Sequence, residues 1–225
     1  MKFLTFLLFS LMRVSAQPAE TLSFVQEKFD FKVGYNEKVK EFDLPFVSHV
    51  SRTVNVLSVQ TSCTCMAVSV PEGRIEPGAT GRVHCVFRVP NATGLIQKPV
   101  MLKTDAPVEA QQLTLVRVEV PSIFKCTPER LIWFTHEPLA EKVMTVAVAD
   151  EAAPATITKV ECSNELFETS IKTIREGREY QLRAKPRTTD NRALGMLLLH
   201  TDSPVPRHKI RSVYAVVEPA PGRTP

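Results

Sequence analysis

The chain lacks the short motifs that mark the common catalytic chemistries. It has no glycine-rich phosphate loop, no Gly-x-Ser-x-Gly nucleophile turn, no His-Glu-x-x-His helix and no Cys-x-x-Cys-His heme attachment. Its five histidines fall in no recognisable constellation with a nucleophile, which disfavours hydrolysis. Helix formers in periodic order are scarce and 17 prolines punctuate the chain, so the composition favours many short strands. Past the first sixteen residues, no apolar run approaches the ~20 residues that a membrane-spanning helix needs.

Those first residues, MKFLTFLLFSLMRVSA, place Lys2 ahead of an apolar run from Phe3 to Met12, then Val14-Ser15-Ala16 before Gln17. This is the pattern of a secretory signal peptide over residues 1–16. No cysteine follows the cleavage point, so a lipid anchor is not expected. The mature chain is expected to be soluble, secreted or periplasmic, with no membrane insertion after cleavage. Cleavage removes Lys2 and Arg13 from 28 basic residues and leaves 26 against 24 acidic ones, a formal charge of +2. So even a balance provides no footprint for nucleic acid. One basic cluster, Arg207, His208, Lys209 and Arg211, reads as charges on a solvated strand edge that discourage edge-to-edge pairing.

An internal repeat of roughly 100 residues organises the remainder. KTDAPV from Lys103 returns as HTDSPV from His200, and each is followed by a β-rich segment, QLTLVRVEV from Gln112 and HKIRSVYAVV from His208. Phe29–Val33 corresponds to Leu131–Thr135 and the turn at Pro77-Gly78 to Glu176-Gly177, while Cys63 falls close to Cys162 and Gly94 close to Gly195. Within each copy the periodicity is two. Val83, Cys85, Phe87 and Val89 share one face of a strand, as do Val116, Val118 and Val120; Met144, Val146 and Val148, then Tyr180, Leu182 and Ala184, repeat the pattern. The expected fold class is therefore all-β, with two tandem immunoglobulin-like β-sandwich domains over residues 17–120 and 121–218 and a flexible tail over 219–225. The joint holds one proline and no Gly/Ser stretch, so close coupling of the two domains is expected.

The stretches VNVLSVQTSCTCMAV, IEPGATGRVHCVF and VMLKTDAPVEAQQLTLVRVEV resemble a bacterial secreted family of unknown function with a Ser-Cys-Gly-Cys motif, related to Hydin/ASH-like immunoglobulin-like domains. The resemblance implies a sandwich of about seven strands and brings no established activity. Thr64 stands where that family usually has glycine, and the second copy, with Cys162-Ser163-Asn164, lacks the paired motif.

Five cysteines in an oxidising compartment permit at most two disulfides, so Cys63, Cys65, Cys85, Cys126 and Cys162 are all disulfide candidates and one is left over. On an extended strand Cys63 and Cys65 point to one face. A bond between them closes a tight ring, and a bond from either to Cys85 is geometrically easier. The alternative is a weak metal or redox site, in which the two thiolates with Met66 and either His84 or Met101 suit copper or zinc. His84 points away from Cys85, so joint ligation by those two would need a bulge. Cys85 reads as core or a disulfide partner, and Cys126 and Cys162 are within conceivable reach of one another. Trp133, Phe29 and Phe31 read as core. Asp105 and Asp202 read as turn residues bonding their own backbone, and Asn91-Ala92-Thr93 as a sequon on a surface loop. The expected role is a non-enzymatic envelope interaction module that needs no cofactor and binds another envelope or extracellular protein. Metal handling or thiol redox at Cys63 and Cys65 is the alternative.

Overall fold

The computed structural model describes residues 21–106 and 111–221. The signal peptide, Pro107 and Val108 of the first Thr-Asp-x-Pro-Val segment, and residues 222–225 of the tail lie outside them. Alternating apolar and polar residues rich in Val, Phe and Thr suit a pleated, half-buried surface, and turn residues interrupt them before helices can form. The first group of strands is β1 (Leu22–Phe24), β2 (Lys28–Lys32), β3 (Val39–Ser48), β4 (Val54–Thr61), β5 (Met66–Ser69), β6 (Arg74–Ile75), β7 (Thr80–Arg88), β8 (Gly94–Thr104) and β9 (Gln111–Val120). They pair as two sheets, β1-β3-β7-β5 and β2-β9-β8-β4-β6. The second group is β10 (Phe124–Thr127), β11 (Arg130–Phe134), β12 (Lys142–Val148), β13 (Ile157–Cys162), β14 (Phe167–Arg175), β15 (Glu179–Pro186), β16 (Ala193–Thr201) and β17 (Ile210–Glu218). Its sheets run β10-β12-β15-β14 and β11-β17-β16-β13. Apart from the short β6, the two groups have one strand order.

Each pair of sheets closes on its own core. Val83, Cys85 and Phe87 are fully buried against Leu44, Phe46, Val100 and Leu102, and in the second sandwich Met144, Val146 and Leu182 are fully buried with Leu197, Leu199 and Trp133. These residues sit on one parity of their strands, because successive side chains alternate between the core and the outer face. Trp133 is completely buried, with Nε1 donating to the Ala140 carbonyl at 2.8 Å, so its polar edge is satisfied inside the core. Phe29 is buried and Phe31 stacks on Phe42 with ring centroids 3.9 Å apart.

The duplication extends to details. β2 and β11 each run parallel to the last strand of their copy, pairing Phe29 with Val116 and Leu131 with Ala215. A register shift between Val56 and Ser58 recurs between Ile157 and Lys159. Gly78 and Gly177 both take positive φ, 72° and 66°, at equivalent turns. One cross-strand pair has exchanged its volumes. Phe46 faces Gly81 in the first copy, where Val146 faces Tyr180 in the second, and the Phe46 ring occupies the space a Cβ at position 81 would need.

Two sequence correspondences shift under this register. Thr61 pairs with Val100 as Cys162 pairs with Leu197, so Cys162 is the counterpart of Thr61 rather than of Cys63. Gly94 opens β8 with a positive φ of 114°, whereas Gly195 lies within β16 beneath the Phe167 ring, and the two are not equivalent.

The basic cluster is not a solvated strand edge. β17 lies inside its sheet between β11 and β16, and Arg207 and His208 occupy the 3-10 turn Pro206–His208 with only 8% and 2% of their surfaces exposed. They reach across to the β2–β3 loop of the first sandwich. Arg207 Nη2 donates to the Gly34 carbonyl at 3.1 Å and also to that of Tyr35, and His208 Nε2 lies 2.9 Å from the Tyr35 carbonyl. The Tyr35 side chain packs against the second core. Two buried basic residues thus spend their donors on backbone oxygens that would otherwise be stripped of water.

Candidate functional site

The Cys-x-Cys segment does not lie on a strand. β4 ends at Thr61 opposite Val100, and the next position in that register would set Ser62 against Pro99, which has no N–H to give the ladder. The chain leaves the five-stranded sheet there and enters β5 of the facing sheet at Met66. Cys63 and Cys65 occupy the crossing turn. They are half-buried against the first core and joined by a disulfide, with Cα atoms 5.3 Å apart.

Cys85, expected to be the easier partner, is free. Along β5 and β7, Val68 stands opposite Cys85, whereas the Cys65 carbonyl accepts from the Arg88 amide at 2.8 Å. Three residues of strand separate the two sites, on the order of 10 Å, which exceeds the reach of a disulfide. Burial first, with the field of Asp43 adding to it, pushes the Cys85 thiol up to about 12, leaving a neutral core residue. Cys126 and Cys162 are also free. Burial raises the Cys126 thiol, and Cys162 Sγ donates to the Asn164 carbonyl at 3.2 Å.

The donors weighed for a metal are not brought together. Met66 is buried in the core, and His84 Nδ1 lies 2.9 Å from Asp43 Oδ1 on the outer side of its sheet, pointing away from Cys85. Met101 lies across from Gln60 on the outer face of the five-stranded sheet. Among the described residues no three of His, Cys, Asp and Glu form a group that could hold a metal ion.

Asp105, which also bonds its own backbone, and Asp202 reach beyond their turns. Asp105 Oδ1 accepts from the Asn55 amide and Oδ2 from Asn55 Nδ2, both at 2.8 Å, and Asp202 Oδ1 accepts from the Thr156 amide at 2.7 Å. Each carboxylate pins the start of the neighbouring strand. The preceding threonines do close the turns, Thr104 Oγ1 accepting from Ala106 N and Thr201 Oγ1 from Ser203 N. Asn91 and Thr93 are exposed in the β7–β8 turn, as a surface sequon requires.

Beside the disulfide turn, the outer face of the five-stranded sheet carries a hollow of ≈ 260 Å³ lined by Gln60, Thr61, Ser62, Pro99, Met101 and Leu113. Leu113 is 67% exposed and Leu57, at the β4 bulge, 58%. No charged side chain lines this hollow. It arises because the start of β9 places leucines on the outward parity and a threonine on the inward one. Thr114 takes the buried position, its hydroxyl donating to the Gln26 and Glu27 carbonyls at 3.0 and 3.1 Å, while Leu113 and Leu115 face outward. Sequence reading missed this surface. The signal was there in QLTLVRVEV, where the leucines fall on the parity that farther along holds Arg117 and Glu119.

Two facing-sheet cores, each with its second strand parallel to its last, define a tandem of immunoglobulin-like β-sandwiches. Residues 22–119, the first of them, match the family described as "Protein of unknown function (DUF1573)". No curated protein matches the chain. Solved structures similar to it include a protein of unknown function from Porphyromonas gingivalis W83, 12% identical over 88% of this chain and 99% of that one, with a TM-score of 0.36. The ASH/PapD-like domain 7 of human CEP192 is 12% identical over 52% and 97%, with a TM-score of 0.36, and the E. coli chaperone DraB 11% over 89% and 97%, with a TM-score of 0.37. At scores this low the fold rests on the strand pairing described above.

Proposed function

We propose that the chain is a non-enzymatic interaction module of the cell envelope or its exterior, secreted through the signal peptide at 1–16. Its two sandwiches span 17–120 and 121–218, ahead of the tail at 219–225, and the first docks another envelope or extracellular protein. The observation that carries this reading is the uncharged hollow of the first sandwich with Leu113 standing 67% exposed beside it. An exposed apolar patch on a folded domain marks a surface that a partner covers. The outer face of the five-stranded sheet presents it, next to the Cys63–Cys65 turn. Among the described residues no helix is long and apolar enough to cross a membrane.

The test is capture from the native envelope after mild cross-linking, using the mature protein and its Leu113→Glu variant. The reading expects a partner recovered with the wild type and lost with the variant while both melt alike. Recovery of the monomer alone, or equal capture by both, overturns it.

A second reading, thiol–disulfide exchange at Cys63–Cys65, is favoured by the two sulfurs being bonded to each other and half-exposed. In it an external dithiol delivers two electrons and two protons, opening the bond and itself becoming a disulfide. A double substitution of both cysteines by serine separates the readings, since docking survives it and exchange does not.

A further inference from the structure

Where the two sandwiches meet, the β7–β8 turn, the connecting residue Ser122 and the start of β17 enclose a hollow of ≈ 360 Å³. Its wall includes Asn91, Thr93, Ser122, Arg207, Arg211 and Tyr214, with two guanidinium groups and no carboxylate. Arg211 also lines a second hollow of ≈ 480 Å³, beside Lys125, Cys126 and Glu129, and the two spaces share Arg211 and Phe124.

The position of Arg211 is unusual for a cation. It pairs with Leu199, which is completely buried, and shares strand parity with the core residues Val213, Ala215 and Val217. It therefore points to the inner side of its sheet, at the end of the sandwich where the core gives way to the cleft. Its Nε is buried with no hydrogen-bond partner, and so is that of Arg207. Neither arginine forms an ion pair with a carboxylate among the described residues. The acidic fields nearby are those of Glu37, felt by Arg207, and Glu129, felt by Cys126. Arg211 shares a side-chain hydrogen bond with the neutral Cys126 thiol. A part-buried guanidinium whose Nε has no partner and which pairs with no carboxylate is left under-satisfied, and an anion supplied from outside relieves that cost.

We infer that this junction is a binding site for an oxyanion, a phosphate or carboxylate group, gripped by Arg211 with Arg207 behind it. The planar guanidinium offers paired N–H donors that match two oxygens of such a group. The Asn91 carboxamide and the hydroxyls of Thr93, Ser122 and Tyr214 line the rest of the hollow and suit a polar body attached to the anion. The site draws on both sandwiches and lies apart from the apolar hollow beside the disulfide, so it stands independently of the docking proposal.

Inorganic phosphate is the probe, titrated into the mature protein with sodium chloride of equal ionic strength as reference. Amide chemical shifts and the thermal midpoint report binding. The expected result is a saturable shift at Ser122, Arg211 and Ser212 and a rise in midpoint that chloride does not produce. Arg211→Gln should weaken phosphate at least tenfold while its midpoint in chloride stays at or above that of the wild type, and Arg211→Lys should bind at an intermediate level. Equal response to phosphate and chloride, or a full phosphate response in Arg211→Gln, overturns the site.

Discussion

Asp105 holds Asn55 at two points, taking its backbone amide on one carboxylate oxygen and its side-chain amide on the other, and one repeat later Asp202 takes the Thr156 backbone amide alone. The Thr-Asp-x-Pro segments are thus clamps between strands that are distant in sequence. The bond from the Asn55 backbone, then that from its side chain, holds the Asp105 carboxyl below its ordinary value of 3.8. A depressed folded value means that the clamp stabilises fully above pH 3.8 and is lost as pH falls through the folded value. Asp105→Asn should lower the melting temperature at neutral pH, and the gap from wild type should close in acid. A gap that does not begin to close as pH falls below 3.8 would contradict the clamp.

The volume exchange between copies predicts a directional packing effect. Gly81→Ala pushes a methyl into the Phe46 ring and should destabilise by about 1–3 kcal/mol. Combining it with Phe46→Val, which copies the smaller residue found at Val146, should cost less than the two single changes added together. Denaturant titration of the four proteins measures that coupling.

The disulfide pairing can be read from stability as well as from a peptide map. Closing only the Cys63–Cys65 loop is worth about 1.6 kcal/mol in chain entropy, whereas a Cys63–Cys85 loop would give ~3.4 kcal/mol. The double substitution of Cys63 and Cys65 by serine should lose the smaller amount. A non-reducing digest should return residues 63 and 65 on one peptide two hydrogens lighter than its reduced form, with Cys85 alkylated only after unfolding.

His208 predicts how the joint responds to acid. Its Nε2 faces the Tyr35 carbonyl and its Nδ1 is buried without a partner. Burial foremost lowers its pKa below 6.5, and adjacent Arg207 acts in the same direction against the Tyr35 bond. The neutral ring therefore contributes stability that is complete above pH 6.5 and is lost as pH falls through the folded value. Arg207 stays charged throughout, and Glu37 is the acid whose field reaches this turn. Melting followed from pH ~7.5 to ~5 should fall more steeply for wild type than for His208→Gln; parallel slopes would remove His208 from the account.

The architecture was legible because β-sandwich strands carry their burial in a period of two. Val83, Cys85 and Phe87, or Tyr180, Leu182 and Ala184, could be assigned to a core from parity alone, and the recurring Thr-Asp-x-Pro segments exposed the duplication. What was not legible depended on register and on neighbours from distant sequence. Strand parity put Cys63 and Cys65 on one face of a strand, but the ladder stops at Thr61 before them, as its counterpart stops at Cys162 with Met196 in place of Pro99, and the segment becomes a crossing loop. The basic cluster read as exposed because nothing near it in sequence reveals that Gly34 and Tyr35 offer it their carbonyls. The outward leucines of β9 were hidden by their neighbour Thr114, whose burial is intelligible only once its hydroxyl meets the Gln26 and Glu27 carbonyls.

The most direct test of the docking account is a photo-reactive phenylalanine analogue placed at Gln60, on the rim of the apolar hollow, and at Lys172, on the outer strand of the second sandwich, as control. After illumination in the intact envelope, the account predicts a discrete higher-mass adduct from position 60 that Leu113→Glu abolishes, and none from position 172. Adducts of equal yield from both positions, or from neither, would contradict it.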